Sequence, residues 1–190
     1  MPDVALVVGG SQRVLLEFYL AAQLCFQAGA TFETFVANDM IAELEQCDHA
    51  VTLHPYKLQA RENWLGRRAA KGLSMPREVW CHRTDADSPA ITKTLRQVNP
   101  GRTSTGYFAT QAAMHCGHDR VILCGVPMTM EAGHVVRHQV WDQVRHFTQV
   151  WTDHRTELAP VVRSMSGWTS ELFGQPTVDF LRKVACPAVA

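Results

Sequence analysis

The sequence lacks a net charge, since its 190 residues contain 18 lysines and arginines and 18 aspartates and glutamates. This balance removes the positive field that non-specific nucleic-acid binding needs, so we do not expect a nucleic acid as partner. Apolar runs of about 18 residues, which a membrane-spanning helix requires, are also absent. The N-terminal stretch MPDVALVVGG is too short in its apolar part, and too acidic at its front, for a signal peptide. We therefore expect a cytoplasmic protein without a membrane span.

Cysteine pairs with metal-ligand spacing are absent as well. None of the six cysteines forms a Cys-x-x-Cys pair, which argues against a structural zinc site. In a reducing cytosol such residues act as small hydrophobic side chains, so we expect them in the core. Histidine is more frequent, and His134, His138, Asp142 and His146 recur every four residues. On the predicted helix His138, Asp142 and His146 lie opposite a face of valines and aromatic residues, which predicts a solvated polar face and no metal site. His134 differs, because it precedes the helix and is expected at the rim of the strand ends.

Short β-branched segments alternate with helical segments along the whole chain. The predicted strands are Asp3–Val8, Thr31–Ala37, Asp48–Leu53, Arg77–His82, Asp119–Cys124 and a short one at Val161–Arg163. The predicted helices are Gln12–Ala28, Tyr56–Ala70, Thr105–Cys116 and Val135–His154, with irregular chain at 85–102. This order predicts one α/β domain over residues 1–190, in three layers, with a mainly parallel sheet of five or six strands and helices on both faces. Residues 160–190 are predicted to pack on it as a C-terminal extension.

Two glycine- and hydroxyl-rich turns are expected at the carboxyl ends of the strands, where open α/β sheets bind their ligands. Gly9-Gly10-Ser11 follows the first strand, and its backbone N–H groups can approach a phosphate beside a helix N-terminus. The alternative is a tight turn with Ser11 as helix N-cap. The turn lacks the third glycine of G-x-G-x-x-G and the lysine of a P-loop, so it matches neither fingerprint. Thr103-Ser104-Thr105-Gly106 opens a later helix and allows the same two interpretations, phosphate binding or capping.

The stretch from Arg102 to Gly125, RTSTGYFATQAAMHCGHDRVILCG, carries a resemblance to a known group. It resembles a motif of the bacterial lipooligosaccharide sialyltransferases and the archaeal-type hydroxymethyl-dihydropterin pyrophosphokinases (domain of unknown function 115). Their motif is a Thr/Ser-Ser-Gly turn, an alanine-rich helix, a glycine and an apolar strand that ends in Gly-x-Asp. The residues at matching spacings are Arg102, Ser104, Thr105, Gly106, Gly117 and Gly125.

Further segments extend the resemblance, and two positions depart from it. VVGGS looks like a shortened form of the group's strand-one Gly-x-Gly-Pro-Ser loop, and Asn38 falls where the group places an Asn after strand two. The first loop is two residues short, and Pro127 replaces the Asp of Gly-x-Asp. The segment RSMSGWTSELFGQPT and the LHP-x-K block also look like small proteins encoded in phages and prophages.

The resemblance implies a Rossmann-like domain that binds nucleotide phosphates at the first strand's loop and at the Ser/Thr-Gly helix start. The implied nucleotide-binding residues are Gly9, Gly10, Ser11, Asn38, Asp39, His54, Ser104, Thr105, Gly106 and Gly125. The group's transferases use a histidine base after the fifth strand, which makes His134 the candidate, with His138 second. A neutral imidazole can take a proton from an acceptor hydroxyl, and Lys57 and Arg102 can offset developing phosphate charge.

These expectations leave three hypotheses for function. The first is a nucleotide-dependent transferase, most simply a glycosyltransferase-like enzyme that uses a nucleotide-sugar donor, with pyrophosphate transfer as a variant. The second is a non-catalytic phage protein that binds or sequesters a nucleotide. The third is a structural or assembly protein that kept the fold. The expected ligand is a nucleotide or nucleotide sugar, without a metal, and the expected protein partners are a second copy of the chain or other phage proteins.

Overall fold

A single parallel sheet organises the computed structural model, which describes residues 2–58, 62–84, 88–96, 103–136 and 144–182. The strands are β1 (Val4–Val8), β2 (Phe32–Ala37), β3 (His49–Thr52), β4 (Glu78–Cys81), β5 (Lys93–Thr94), β6 (Val121–Cys124) and β7 (Val162–Ser164). They pair in the order β5-β4-β3-β2-β1-β6-β7, and every pair is parallel. The predicted α/β class with a parallel sheet is confirmed, but the predicted count of five or six strands is wrong because the described residues form seven.

The helices agree with the sequence pattern at two positions and differ at two. They are α1 (Val14–Ala28), α2 (Trp64–Ala70), α3 (Thr105–His115), α4 (Val144–Asp153), α5 (Arg155–Leu158), α6 (Gly167–Phe173) and α7 (Val178–Leu181). The prediction of one helix over Tyr56–Ala70 is wrong, because Pro55–Lys57 is a 3₁₀ turn and α2 begins only after Asn63. The predicted helix start at Val135 is also wrong. Val135 lies in a loop and donates its N–H to the Gly10 carbonyl at 2.9 Å.

Hydrophobic clusters cover both faces of the sheet. Along β1, Val4, Leu6 and Val8 pack in one cluster with residues of α1, while Ala5 and Val7 pack in a second cluster with residues of α3. All five β1 side chains are completely buried, which is the pattern of a central parallel strand rather than an alternating one. Burial of each valine or leucine stabilises the fold by about 1.5–3 kcal/mol.

The strand order reverses at β1, whose neighbours are β2 on one side and β6 on the other. Val8 at the end of β1 lies beside Cys124 at the end of β6, so the loops that follow the two strands begin side by side. In open α/β sheets a crevice for ligands forms at such a reversal, outside the carboxyl ends of the strands.

Two properties expected from the sequence can be compared with this fold. Cys25, Cys47, Cys81 and Cys124 are buried and Cys116 is half-buried, which confirms the expected core placement for four of the described cysteines. Burial raises the pKa of the Cys25 and Cys116 thiols to about 11 and that of Cys47 to about 12. None of the described helices has the length and apolar character needed to cross a membrane.

Candidate functional site

A cleft of about 340 Å³ opens at the carboxyl ends of β1, β2, β3 and β6, beside the N-terminus of α3. Every predicted site residue that the structure describes lines this cleft. They are Gly9, Gly10, Ser11, Asn38, Asp39, His54, Lys57, Ser104, Thr105, Gly106, Gly125 and His134. Arg102 and His138 lie outside the described residues. The first strand's loop and the α3 start therefore share one cleft, as the sequence predicted.

The glycines after β1 meet other parts of the protein. The N–H groups of Gly9 and Ser11 donate to the carbonyls of Cys124 (2.7 Å) and Gly125 (3.2 Å). A Cβ atom on Gly9 would overlap the Gly125 carbonyl oxygen, and one on Gly10 would lie 2.5 Å from His134 Nε2. Glycine is therefore required here by close packing of loops. The N–H groups of Gly9 and Ser11 are bound to protein oxygens and do not form the phosphate cradle that the sequence suggested.

Ser11 is the residue of this turn with an unused polar group. The capping interpretation is wrong for it, because α1 begins at Val14 with Arg13 in the N-cap position. Its side chain is 7% exposed, and within the described part of the chain its hydroxyl has no hydrogen-bond partner. A buried hydroxyl without a partner is unfavourable by about 1–3 kcal/mol. Ser11 lines the cleft, so a ligand bound there can supply the missing hydrogen-bond partner.

The N-terminus of α3 also lines the cleft. Ser104 is the N-cap, and its Oγ accepts a hydrogen bond from the Tyr107 N–H at 3.2 Å, which confirms the capping interpretation for this serine. The first N–H groups of a helix have no partner within the helix and carry a partial positive charge. Gly106 allows the helix to approach the loop after β6, since a Cβ atom there would lie 2.9 Å from Val126 Cγ1.

A chain of hydrogen bonds crosses the cleft floor from β3 to α3. The His54 N–H donates to Thr52 Oγ1 (2.9 Å), and the Thr52 hydroxyl donates to Asn38 Oδ1 (3.0 Å). Asn38 Nδ2 then donates to Thr105 Oγ1 at 3.0 Å. Because Thr105 Oγ1 accepts from an amide, its own hydrogen remains to be donated. Asn38 holds this position with φ of 52°, a left-handed conformation that is uncommon outside glycine and recurs at functional sites.

Asp39 and His134 form a polar pair on the same floor. Asp39 is buried, its Oδ1 accepts from Trp64 Nε1 at 2.9 Å, and its Oδ2 lies 3.5 Å from His134 Nε2. His134 Nδ1 accepts the Val136 N–H at 3.2 Å. Since Nδ1 is an acceptor, the neutral ring carries its proton on Nε2, facing Asp39. His134 is thus arranged as a donor, and the base role predicted for it requires the proton to move to Nδ1.

Lys57 supplies positive charge at the rim. It ends the 3₁₀ turn Pro55–Lys57, and its ammonium lies 5.8 Å from the Tyr56 ring centre and 6.0 Å from that of Trp64. These distances allow cation–π attraction, which orients the side chain without neutralising it. Among the described residues the Lys57 ammonium forms no ion pair. A ligand phosphate would therefore meet an uncompensated charge.

Glu17 supports the site but was missed by sequence reasoning. It is 4% exposed on α1, where its Oε2 accepts the Gly125 N–H at 2.7 Å and its Oε1 accepts the Ser166 hydroxyl at 2.6 Å. Both bonds fix the loop after β6 against α1. A signal existed, since Glu17 is the single charged residue in the α1 sequence VLLEFYLAAQLCFQA.

Of the predicted polar face formed by His138, Asp142 and His146, the structure describes His146, whose exposure agrees with its helical phase. His146 is exposed on α4, while Val144 and Trp151 are buried; His138 and Asp142 lie outside the described residues. Within residues 2–58, 62–84, 88–96, 103–136 and 144–182, no group of three His, Cys, Asp or Glu side chains is placed to hold a metal ion.

No protein-family model, curated protein or solved structure matches the chain significantly. The resemblance to the sialyltransferase and pyrophosphokinase group therefore remains a prediction.

Proposed function

We propose that the chain is a nucleotide-dependent transferase that binds a nucleotide sugar in the cleft, with the donor's phosphates at the N-terminus of α3. The observation that carries this proposal is the buried Ser11 hydroxyl, which lines the same cleft as that helix start and lacks a partner among the described residues. A phosphate offers only hydrogen-bond acceptors, so it complements a site where donors converge. The parallel sheet, with the cleft at the carboxyl ends of its strands, supports the same choice of ligand.

Three further features of the cleft favour a phosphate. The Thr105 hydroxyl has its hydrogen left to donate, and Lys57 adds a positive charge without an ion-pair partner in the described part of the chain. The dipole of α3, an 11-residue helix, favours negative charge at its first turn. The volume of about 340 Å³ lies at the low end of small-molecule sites, which favours a mononucleotide-sized group over a macromolecular ligand.

The proposed reaction joins an acceptor hydroxyl to the donor's sugar. A bond forms between the acceptor oxygen and the anomeric carbon, the bond from that carbon to the phosphate oxygen breaks, and the nucleotide leaves with the electron pair. Lys57 and the α3 N-terminus stabilise the negative charge on the leaving phosphate. Arg102, which precedes α3 in the sequence, is assigned the same role. The acceptor's proton passes to the Asp39–His134 pair, with His134 as the predicted base.

Binding measurements on a matched pair of variants test the ligand class. Isothermal titration with inorganic phosphate, nucleoside diphosphates and nucleotide sugars should give the strongest binding for a nucleotide. Thr105→Val should weaken it about tenfold, because one hydrogen bond to a charged group is lost. Thr152→Val, at an exposed position on α4, is the control and should bind like the wild type. If no nucleotide binds at millimolar concentration, the proposal is wrong.

A second function, nucleotide binding without catalysis, is favoured by one observation. Both ring nitrogens of His134 face protein groups, Nδ1 the Val136 N–H and Nε2 the Asp39 carboxylate. Mass spectrometry of the purified chain separates the two functions. A nucleotide that co-purifies, and that stays intact with every acceptor offered, supports the binding protein, whereas release of the donor's nucleotide supports the transferase.

A further inference from the structure

The outer face of α1 is apolar and open to solvent. Its large exposed side chains are Leu15 (44% exposed), Leu16 (52%), Tyr19 (66%), Leu20 (42%) and Phe26 (85%). At 100° per residue these five fall within an arc of roughly 140° that also contains the exposed Gln23 and Gln27, so they form a mainly apolar stripe along the helix. We call this stripe the α1 face. The buried side chains of the same helix, among them Val14 and Phe18, point into the core.

The α1 face carries no charge. The other exposed residues between Val14 and Ala28 are Gln23 and Gln27, and the helix's single charged residue, Glu17, is buried. Helices that lie on membranes surround their apolar face with lysine and arginine, which α1 does not. A partner that relied on charge complementarity would find none here. Two copies of an uncharged face, in contrast, meet without repulsion.

The area of the α1 face is close to what a dimer needs. The exposed fractions of its five large side chains together equal nearly three fully exposed ones, or roughly 600 Å². A standard interface buries about 800 Å² on each partner, so this face supplies most of that area and its flanks supply the rest. It also reaches the upper limit, about 600 Å², of the largest apolar patches on typical monomers.

We propose that the chain forms a twofold symmetric dimer through the α1 face. In such an interface the same residues meet from both copies, so a self-complementary apolar stripe is sufficient. Tyr19 lies midway along the stripe and therefore close to the symmetry axis. A residue at the axis lies beside its own copy in the second chain, so a charge introduced there would face an identical charge. No residue of α1 lines the cleft, so the dimer leaves the cleft open and the proposal is independent of the proposed function.

Sedimentation velocity on the full chain at micromolar concentrations tests this proposal, and the expected species has twice the monomer mass. Tyr19→Glu should weaken dimerisation by at least about 100-fold, because two carboxylates would be buried near the axis. Met75→Glu is the matched control. It places the same charge at a 52% exposed apolar residue outside α1 and should leave the dimer intact. Circular dichroism checks that each variant is folded.

Charge swapping gives a second, independent measurement. Tyr19→Glu and Tyr19→Lys should each be monomeric alone, and an equimolar mixture should form the dimer again. A wild-type chain that stays monomeric overturns the proposal. It is equally overturned if a chain truncated after Arg182 dimerises while the full chain does not, since residues 183–190 would then cover the face. Binding of a monomeric wild-type chain to phosphatidylcholine vesicles would also overturn it.

Discussion

The imidazole of His134 lies over Gly10, so closely that a Cβ atom on Gly10 would come within 2.5 Å of His134 Nε2. The surrounding backbone reinforces this contact. Ser11 and His134 form an antiparallel bridge, and the Val135 N–H donates to the Gly10 carbonyl at 2.9 Å. The segment that carries the predicted base is therefore fastened directly to the turn after β1.

Gly10→Ala should consequently destabilise the protein through His134. Gly10 does not have a positive φ, so alanine is allowed by the backbone and the added methyl group acts by overlap with the ring. We expect a loss of about 1–3 kcal/mol in the free energy of unfolding, measured by urea denaturation. In a His134→Ala background the same substitution should have little effect. Additive losses in this double-mutant cycle would show that the contact does not matter.

His134→Asn separates the two roles of His134, loop anchor and base. The asparagine Oδ1 can take the place of Nδ1 as acceptor for the Val136 N–H, while no atom replaces Nε2. We expect turnover of a nucleotide sugar to fall by about 10²–10⁴-fold with little change in nucleotide affinity. His146→Asn, on the exposed side of α4, is the matched control. Unchanged turnover would assign the proton transfer to another group, and Asp39→Asn is then the next variant to measure.

Ser11→Ala should have opposite effects on stability and binding. Removal of a buried hydroxyl without a partner in the described chain should raise the free energy of unfolding by up to about 1 kcal/mol. The same change should weaken nucleotide binding about tenfold, because the ligand loses a donor. Thermal denaturation and titration calorimetry measure the two effects. Ser104→Ala provides the contrast, since loss of the α3 N-cap should lower stability by about 1 kcal/mol. A Ser11→Ala variant that is less stable would refute a ligand role for this hydroxyl.

The sheet's other end holds a buried ionic cluster around Glu33 that should make stability depend on pH. His118 Nε2 lies 2.6 Å and His49 Nε2 3.3 Å from the Glu33 carboxylate, which Arg77 also contacts. Burial raises the pKa of Glu33, but the hydrogen bonds from His118, Arg77 and His49 outweigh it, so its pKa is lower than its ordinary value of 4.5. The folded state thus binds fewer protons, and its stabilisation is complete above pH 4.5 and lost as pH falls below it.

Glu33→Gln should flatten this dependence. Urea denaturation at several pH values below neutrality should show stability that falls with acidity in the wild type and falls less steeply in the variant. The variant should also be less stable by about 1–3 kcal/mol at neutral pH, because the buried His118 ring loses its hydrogen bond to a charged carboxylate. Glu45→Gln alters an exposed carboxylate and should retain the wild-type slope. Equal slopes in all three proteins would exclude Glu33 as the origin.

The strands were predictable from sequence where burial imposes an apolar pattern. The segments that contain β1, β2 and β6 were found to within one or two residues, because long β-branched or apolar runs end at turn residues. β5 was missed because Lys93–Thr94 is only two residues long and both are exposed, so burial imposes no apolar pattern on it. Similarly, no apolar pattern marks the 3₁₀ turn that separates Pro55–Lys57 from α2.

The composition of the cleft was also predictable, but its hydrogen bonding was not. Turn residues at strand ends meet at one edge of a parallel sheet, which is why Gly10 and Thr105 share the cleft. The hydrogen-bond partners of these residues depend on the conformation of the loops. Loops, unlike helices and strands, leave no periodic pattern in the sequence. The His134 ring over Gly10 and the link from Thr52 through Asn38 to Thr105 both arise in this way.

The central position of β1 has a consequence for how the chain acquires its structure. β1 is synthesised before the strands it pairs with, and one of its edges pairs with β6, whose residues Val121–Cys124 emerge from the ribosome much later. Until then the Val4–Val8 segment has a row of unpaired N–H and C=O groups, the kind of edge at which chains aggregate. Folding must also bring together strands that are distant in sequence, which is slow. A fragment that ends before Val121 should therefore fail to fold and should associate with other copies through its first strand.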